Sequence, residues 1–215
     1  MTDKHKDKRF KDIYKKIPLD EIPWNNEQPP ELLVELVESG QVKAGKVLDF
    51  GCGLGNYAIW LAGKGFDVVG VDVSPTAIKI AKLNAKRKKV KCKFVVGDVT
   101  GSWADFGTGF DFVYDWGLLH HIMPENRDKF VENVHGVLKA GGKYLSMCFN
   151  EKDIAFEGTG KYRQTKLGTA VYLSSQIELR ELFGKFFRII DFRVIEIAGK
   201  IMTHVFNYCF MESNL

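Results

Sequence analysis

Between an apolar run and a helical stretch the chain reads Val47-Leu48-Asp49-Phe50-Gly51-Cys52-Gly53-Leu54-Gly55. Glycine accepts positive φ and has no side chain to hold a ligand off, so a Gly-x-Gly-x-Gly turn lets the main chain close on a small molecule. A dinucleotide fingerprint would place its third glycine one residue later, and that position is Asn56. Asp72 ends the next apolar run about 20 residues on, the distance at which an acid binds ribose hydroxyls in nucleotide folds. A third run leads into Val96-Gly97-Asp98-Val99, where a carboxylate can accept from an exocyclic amine such as that of adenine. Any one of these acids can equally be a turn or cap residue. Three of them after three successive apolar runs, beside a glycine turn, point to a bound nucleoside.

Such residues have to be carried by strands and helices in a definite order. Lys46 to Phe50, Asp67 to Val71, Lys93 to Val96, Phe110 to Tyr114 and Lys143 to Phe149 read as strands. Helices fit Glu31 to Ser39, Asn56 to Gly63, the stretch from Ser74-Pro75 towards Arg87, and Glu125 to Leu138. Strands alternating with helices imply a parallel, doubly wound α/β sheet, because parallel neighbours need crossover connections. The last third differs: a polar segment from Asn150 to Thr169, a helix near Ser174 to Phe183, and two long strands, Phe187 to Ile197 and Ile201 to Met211. The short joint Ala198-Gly199-Lys200 predicts an antiparallel hairpin at the sheet edge. Residues 1–40 read as an N-terminal arm and cap helix over the cleft, and residues 41–215 as the binding domain.

With these motifs in order, residues 45 to 150 resemble the Rossmann-like S-adenosylmethionine-dependent methyltransferases. The likeness rests on the glycine turn, Val68 to Ser74, Gly97-Asp98-Val99, Phe110 to Asp115, and Leu138-Lys139-Ala140-Gly141-Gly142-Lys143. It implies a mostly parallel seven-stranded sheet and S-adenosylmethionine as cofactor, with S-adenosylhomocysteine as product. It also implies that Asp72 holds both ribose hydroxyls, that Asp98 or neighbouring amides hold adenine, and that the Gly51 to Gly53 backbone meets the methionine part. The wider expected cofactor set adds Trp24, Asp49, Cys52, Val73, Val99, Asp115, Trp116 and His120. Ile22-Pro23-Trp24-Asn25 and Asp115 to Pro124, followed by Arg127, are similar to the small-molecule branch that includes thiol, thiopurine and tellurite-resistance enzymes.

Methyl transfer from a sulfonium is an in-line displacement, so the main task is to hold the acceptor about 3 to 3.5 Å from the methyl carbon. A thiol or other soft nucleophile needs no strong base, whereas an alcohol or amine does. His120 is a candidate base, as is Asp115 at the end of the fourth strand; packing or loop-orienting roles compete for both. Trp24 and Trp116 present aromatic faces that suit a sulfonium, and Phe10 and Tyr14 shape the acceptor pocket if the N-terminal segment folds over it.

The composition agrees with a single globular domain of 215 residues, 45% of them hydrophobic and 27% charged. The net charge of +4 invites a nucleic-acid reading, yet it is local. Residues 1–16 carry +4 and residues 82–93 carry +7, which leaves −7 on the rest. Nucleic acid is therefore not the expected partner, and an RNA-directed methyltransferase stands as the alternative enzyme, with a non-catalytic cofactor-binding protein as the alternative of a different class. Cys52, Cys92, Cys148 and Cys209 have no zinc or redox spacing, so no metal is expected. No apolar run approaches a membrane span, and the expected location is the cytoplasm. No pattern in the sequence fixes an oligomeric state.

Overall fold

The computed structural model describes Phe10 and residues 12–102, 106–200 and 202–215; most of the basic arm and Ile201 lie outside the described residues. A short helix, α1 (residues 12–16), precedes a 3-10 turn at Leu19–Glu21 and α2 (Glu31–Glu38). Then come β1 (Lys46–Phe50), α3 (Asn56–Gly63), β2 (Asp67–Asp72), α4 (Pro75–Lys88), β3 (Cys92–Val96) and β4 (Phe110–Trp116). A 3-10 turn at Leu119–His121 leads to α5 (Pro124–Val137), β5 (Leu138–Phe149), β6 (Tyr162–Gln164), β7 (Ala170–Tyr172) and α6 (Gln176–Phe183). The chain ends in β8 (Phe187–Ala198) and β9 (Thr203–Ser213).

Seven strands form one sheet in the order β3-β2-β1-β4-β5-β9-β8. The first five pair in parallel, and β9 is antiparallel to both β5 and β8. Side chains alternate across it, as the two-residue period of a strand requires. Val47, Val68 and Phe112 face a layer with Leu33 and Leu36 of α2, Ala58 and Leu61 of α3, and Ile78 and Ala81 of α4. Leu48, Val69 and Val113 face Phe130 and Val134 of α5 and Leu179 and Phe183 of α6. Both faces are covered, so the central strands are apolar on both sides.

Helix starts follow local chemistry. The Ser74 side chain accepts from the Ala77 N–H with Pro75 at the first helical position, and Ser175 and Glu178 form a reciprocal capping box on α6. Strand order reverses between β1 and β4, and their carboxyl ends open there into the crevice where doubly wound folds bind ligands.

Two expectations change. The polar stretch after β5 is not a plain loop, because β6 and β7 pair there as a separate two-stranded sheet. The cap over the cleft is not α2. Leu33 and Leu36 bury it against β1 and α3, while the part that covers the cleft is the segment before it. There Ile13, Tyr14 and Ile22 pack against Leu54 and Ala77, directly over the glycine turn.

Candidate functional site

A cavity of about 1260 Å³ opens at the switch point. Its floor is the glycine turn. Gly51, Gly53 and Gly55 all have positive φ, between 51° and 76°. The Gly51 and Cys52 N–H groups donate to the Val71 carbonyl at 2.8 and 3.0 Å, which fixes the turn to β2. A Cβ at Gly51 would lie 3.2 Å from Leu118, and one at Gly53 would lie 3.0 Å from the Tyr14 hydroxyl, so a side chain at either position would push on its neighbour as well as strain the positive φ.

The acids stand at the strand ends. Asp72 accepts from the Gly53 N–H at 3.0 Å through Oδ2 and from the Ser74 N–H at 2.8 Å through Oδ1. One lone pair per oxygen is left for further donors such as a pair of ribose hydroxyls. Burial pushes its carboxyl up to about 6, against the pull of those two amides. Burial likewise lifts Asp49 to about 7, opposed by the nearby Tyr114 hydroxyl and reinforced by Asp72 and Asp115. Asp98 is exposed and accepts twice from Thr100 through Oδ1, which leaves Oδ2 without a protein donor among the described residues. Val73 and Val99 line the cavity beside these acids.

Trp24, Asp49, Cys52, Trp116 and His120 also line it. The Trp24 indole donates to the Tyr14 hydroxyl at 2.9 Å, and Trp116 meets Tyr57 edge to face at 6.4 Å. Asn56, the residue that breaks the dinucleotide pattern, donates to the Asn25 side chain and the Asn26 carbonyl, both at 2.9 Å. It ties the N-terminal segment to the start of α3, a job that a glycine could not do.

Asp115 does not line the cavity. Fully buried, it accepts from the Leu119 N–H at 3.0 Å and from the Tyr144 hydroxyl at 2.6 Å. The expectation that it binds cofactor or serves as a base is therefore corrected: Oδ1 holds the turn that follows β4 and Oδ2 is tied to Tyr144 of β5.

His120 lines the cavity, but its chemistry differs from the expected base. The Phe149 N–H donates to His120 Nδ1 at 3.3 Å, so Nδ1 is the lone-pair nitrogen and the proton of the neutral ring sits on Nε2. Burial, followed by His121, Arg127 and His204, holds this imidazole well below the usual histidine range. His120 is thus a neutral hydrogen-bond donor stacked on Phe149 at 4.0 Å. His121 takes the other tautomer, because its Nδ1 lies 3.0 Å from the Ala170 carbonyl, which can only accept. Burial lowers it to about 4.

Sequence reasoning did not find what holds this turn. Arg127, 5% exposed, donates to the carbonyls of Ile122 and Leu119 and to the Ser174 hydroxyl, and lies over the Tyr172 ring at 4.7 Å. Nor did it find the far wall, made of residues 154–158, residues 164–167 and the tip of the β8–β9 hairpin with His204 and Phe206. Lys200 at that tip donates to the carbonyls of Asp20 and Ile22, each at 3.0 Å, and so joins the hairpin to the N-terminal segment.

A glycine cradle, a carboxylate with open lone pairs after β2 and a second acid after β3 fit S-adenosylmethionine. Comparison with known proteins agrees. Residues 47–142 match the family described as methyltransferase domain. The chain is 31% identical over 173 residues to the 2-heptyl-1-hydroxyquinolin-4(1H)-one methyltransferase of Mycobacteroides abscessus, an alignment covering 79% of this chain and 70% of that protein. It is 28% identical over 128 residues to thiocyanate methyltransferase 1 of Brassica oleracea, covering 59% of this chain and 56% of that one, so it spans about half of that relative. A SAM-dependent methyltransferase from Methanosarcina mazei has the same fold, with a TM-score of 0.72 at 22% identity over 87% of this chain and 99% of its own. Sequence, sheet order and cleft together place the chain in the Rossmann-like S-adenosylmethionine-dependent methyltransferases.

Proposed function

We propose that this methyltransferase acts on a small molecule with an apolar, flat body, methylated on a heteroatom. The observation that carries the reading is the second half of the cavity. Beyond the glycine turn and its acids, it continues between Phe10, Phe149, Phe156 and Phe206, walled by segments from four parts of the chain. The strand ends and glycine turn account for a nucleoside and its methionine tail; this remaining aromatic space is suited to a ring system rather than to a polymer strand.

When bound, S-adenosylmethionine supplies a methyl group on a sulfonium that is already a good leaving group. The chain's own residues orient and exclude. Asp72 accepts from ribose, Trp24 and Trp116 present aromatic faces to the cationic centre, and the N-terminal segment keeps water from the reacting atoms. His120 offers an N–H to the acceptor. The two relatives bracket the chemistry, one named for an N-hydroxylated aromatic ring and the other for a small soft anion. The aromatic wall favours the first kind.

The reading is tested by S-adenosylhomocysteine release over a panel containing that N-hydroxyquinolone, thiocyanate, simple thiols and total RNA. Turnover with a small molecule is expected. A signal with RNA alone overturns the small-molecule reading and revives the RNA-directed alternative, and binding of S-adenosylmethionine with no turnover on any acceptor supports a non-catalytic binder.

A further inference from the structure

We infer that Asp153 and His204 form a base dyad at the acceptor end of the cavity, and that the acceptor is an aromatic compound with a dissociable proton on the attacking heteroatom, an aromatic hydroxyl or N-hydroxyl. This rests on the small-molecule reading above and specifies its substrate class.

Asp153 is 3% exposed and sits in the segment just after β5. Its Oδ1 accepts from the Ala155 N–H at 2.7 Å, and its Oδ2 accepts from the Val205 N–H at 2.9 Å and lies 3.0 Å from His204 Nδ1. The Ala155 and Val205 amides each donate to one oxygen, and the carboxylate, which only accepts, takes its remaining bond at Oδ2 from His204 Nδ1. Nδ1 of His204 therefore carries its ring proton, and Nε2 of the neutral imidazole is a free lone pair. No described residue bonds Nε2, and the side chain keeps 21% exposure where it lines the cavity. Gly199 at the hairpin tip lies against this edge, where a Cβ would come within 3.3 Å of Cδ2 and 3.9 Å of Nε2.

Of the three histidines in the cavity, His204 is the one whose lone pair is both oriented by a carboxylate and left open. His120 presents an N–H instead, and His121 is oriented only by a carbonyl, which cannot stabilise an imidazolium as a carboxylate does. The ring stands among Phe149, Phe156 and Phe206 at 5.0, 5.3 and 6.2 Å between centroids. A flat acceptor seated there meets His204 on one side and, across Phe149, the His120 N–H on the other.

The step is balanced without any further reagent. As the acceptor heteroatom bonds to the methyl carbon, its proton passes to His204 Nε2, the C–S bond breaks, and its electron pair stays on sulfur. The proton then leaves to solvent. The titratable groups that interact with His204 are Asp153 from the post-β5 segment and His120 beyond Phe149, and Glu157, Lys166 and Lys200 also line the cavity, Lys200 held on two carbonyls.

His204→Gln keeps the size and removes the base. With the N-hydroxyquinolone as acceptor at pH 7, a loss of about 100-fold or more in kcat is expected, with the deficit narrowing as pH rises and the acceptor ionises by itself. Imidazole should restore part of the rate to His204→Ala. Asp153→Asn should shift the acidic limb of the pH profile. Calorimetric S-adenosylhomocysteine binding should stay within about threefold in all three, which shows an intact fold. Nitrogen NMR of the donor-free protein should find His204 protonated on Nδ1 and bare on Nε2. The dyad is overturned if His204→Gln keeps kcat within threefold across the pH range, or if the NMR shows an Nε2–H tautomer. Failure of the wild type on every small molecule overturns the underlying reading instead, and the dyad with it.

Discussion

The donor and acceptor halves of the cavity are built in different ways. The donor half uses the ends of adjacent parallel strands and the turns directly after them, so Gly51, Gly53, Asp72 and Asp98 are placed by local backbone geometry. The acceptor half gathers Phe10, His120, Phe149, Asp153 and His204 from across the chain through contacts that no short motif encodes. They also titrate in opposite senses. Burial raises the donor-side carboxyls Asp49 and Asp72, and lowers the acceptor-side imidazoles His120 and His121. The first half is preformed to receive hydroxyls and a cation, and the second is aromatic, with neutral imidazoles at His120 and His121.

The contrast is most exposed to failure at Asp72. Asp72→Ala removes the carboxylate that we propose accepts two ribose hydroxyls, and charge-assisted hydrogen bonds contribute about 1.5 to 3 kcal/mol each. Calorimetry should therefore show S-adenosylhomocysteine binding at least about 100-fold weaker. Equal binding would mean that the donor half does not read ribose through this acid.

Arg127→Ala tests the support of the acceptor half. It strips donors from the Ile122 and Leu119 carbonyls and from Ser174. A loss of about 2 to 3 kcal/mol in urea unfolding is expected, with kcat falling more than cofactor affinity. A mutant with weakened donor binding and normal kcat would put Arg127 on the wrong side of the comparison.

The opposed titrations predict opposed stability slopes in the ligand-free protein. Asp49 is raised from 3.8 to about 7, so its favourable share is complete below pH 4 and is lost as pH rises through 7. His121 is lowered from 6.5 to about 4, so its share is complete above pH 6.5 and is lost as pH falls through 4. Asp49→Asn should raise Tm at pH 8 by a few degrees and flatten the decline between pH 4 and 7. His121→Gln should flatten the loss on the acid side. Parallel shifts of both profiles would remove the distinction.

The smallest effect is expected at the seam. Lys200→Ala frees the hairpin tip from the Asp20 and Ile22 carbonyls. It should cost less than about 1 kcal/mol, because water can take the place of the lost ammonium at the two carbonyls. Hydrogen exchange should nonetheless quicken in residues 19–26, and unchanged protection there would show that the tip does not secure the segment.

Much of the donor half was legible in the sequence because its residues follow their strands directly. The β1 and α3 boundaries agree with the expected Lys46 to Phe50 and Asn56 to Gly63. Asp115 shows where that logic stops. It has the same position after a strand as Asp72, yet the Tyr144 hydroxyl and Leu119 N–H take both its oxygens, and Tyr144 comes from β5. His120 was legible as a cavity residue and not as a donor, because its tautomer is set by the Phe149 amide, 29 residues away. The β6–β7 pair was missed because its strands are three residues each and its surroundings polar.

The sequence by itself determined the order of strands and helices, the glycine turn, the acids after β2 and β3, and the family. Each depends on periodicity or on backbone freedom within a few residues. Tertiary structure decided which carboxylates were left with open lone pairs, which nitrogen of each histidine holds the proton, and that Asp153 meets His204 across 51 residues. A proton's place depends on the donor or acceptor opposite it, and only the folded chain brings that partner within 3 Å.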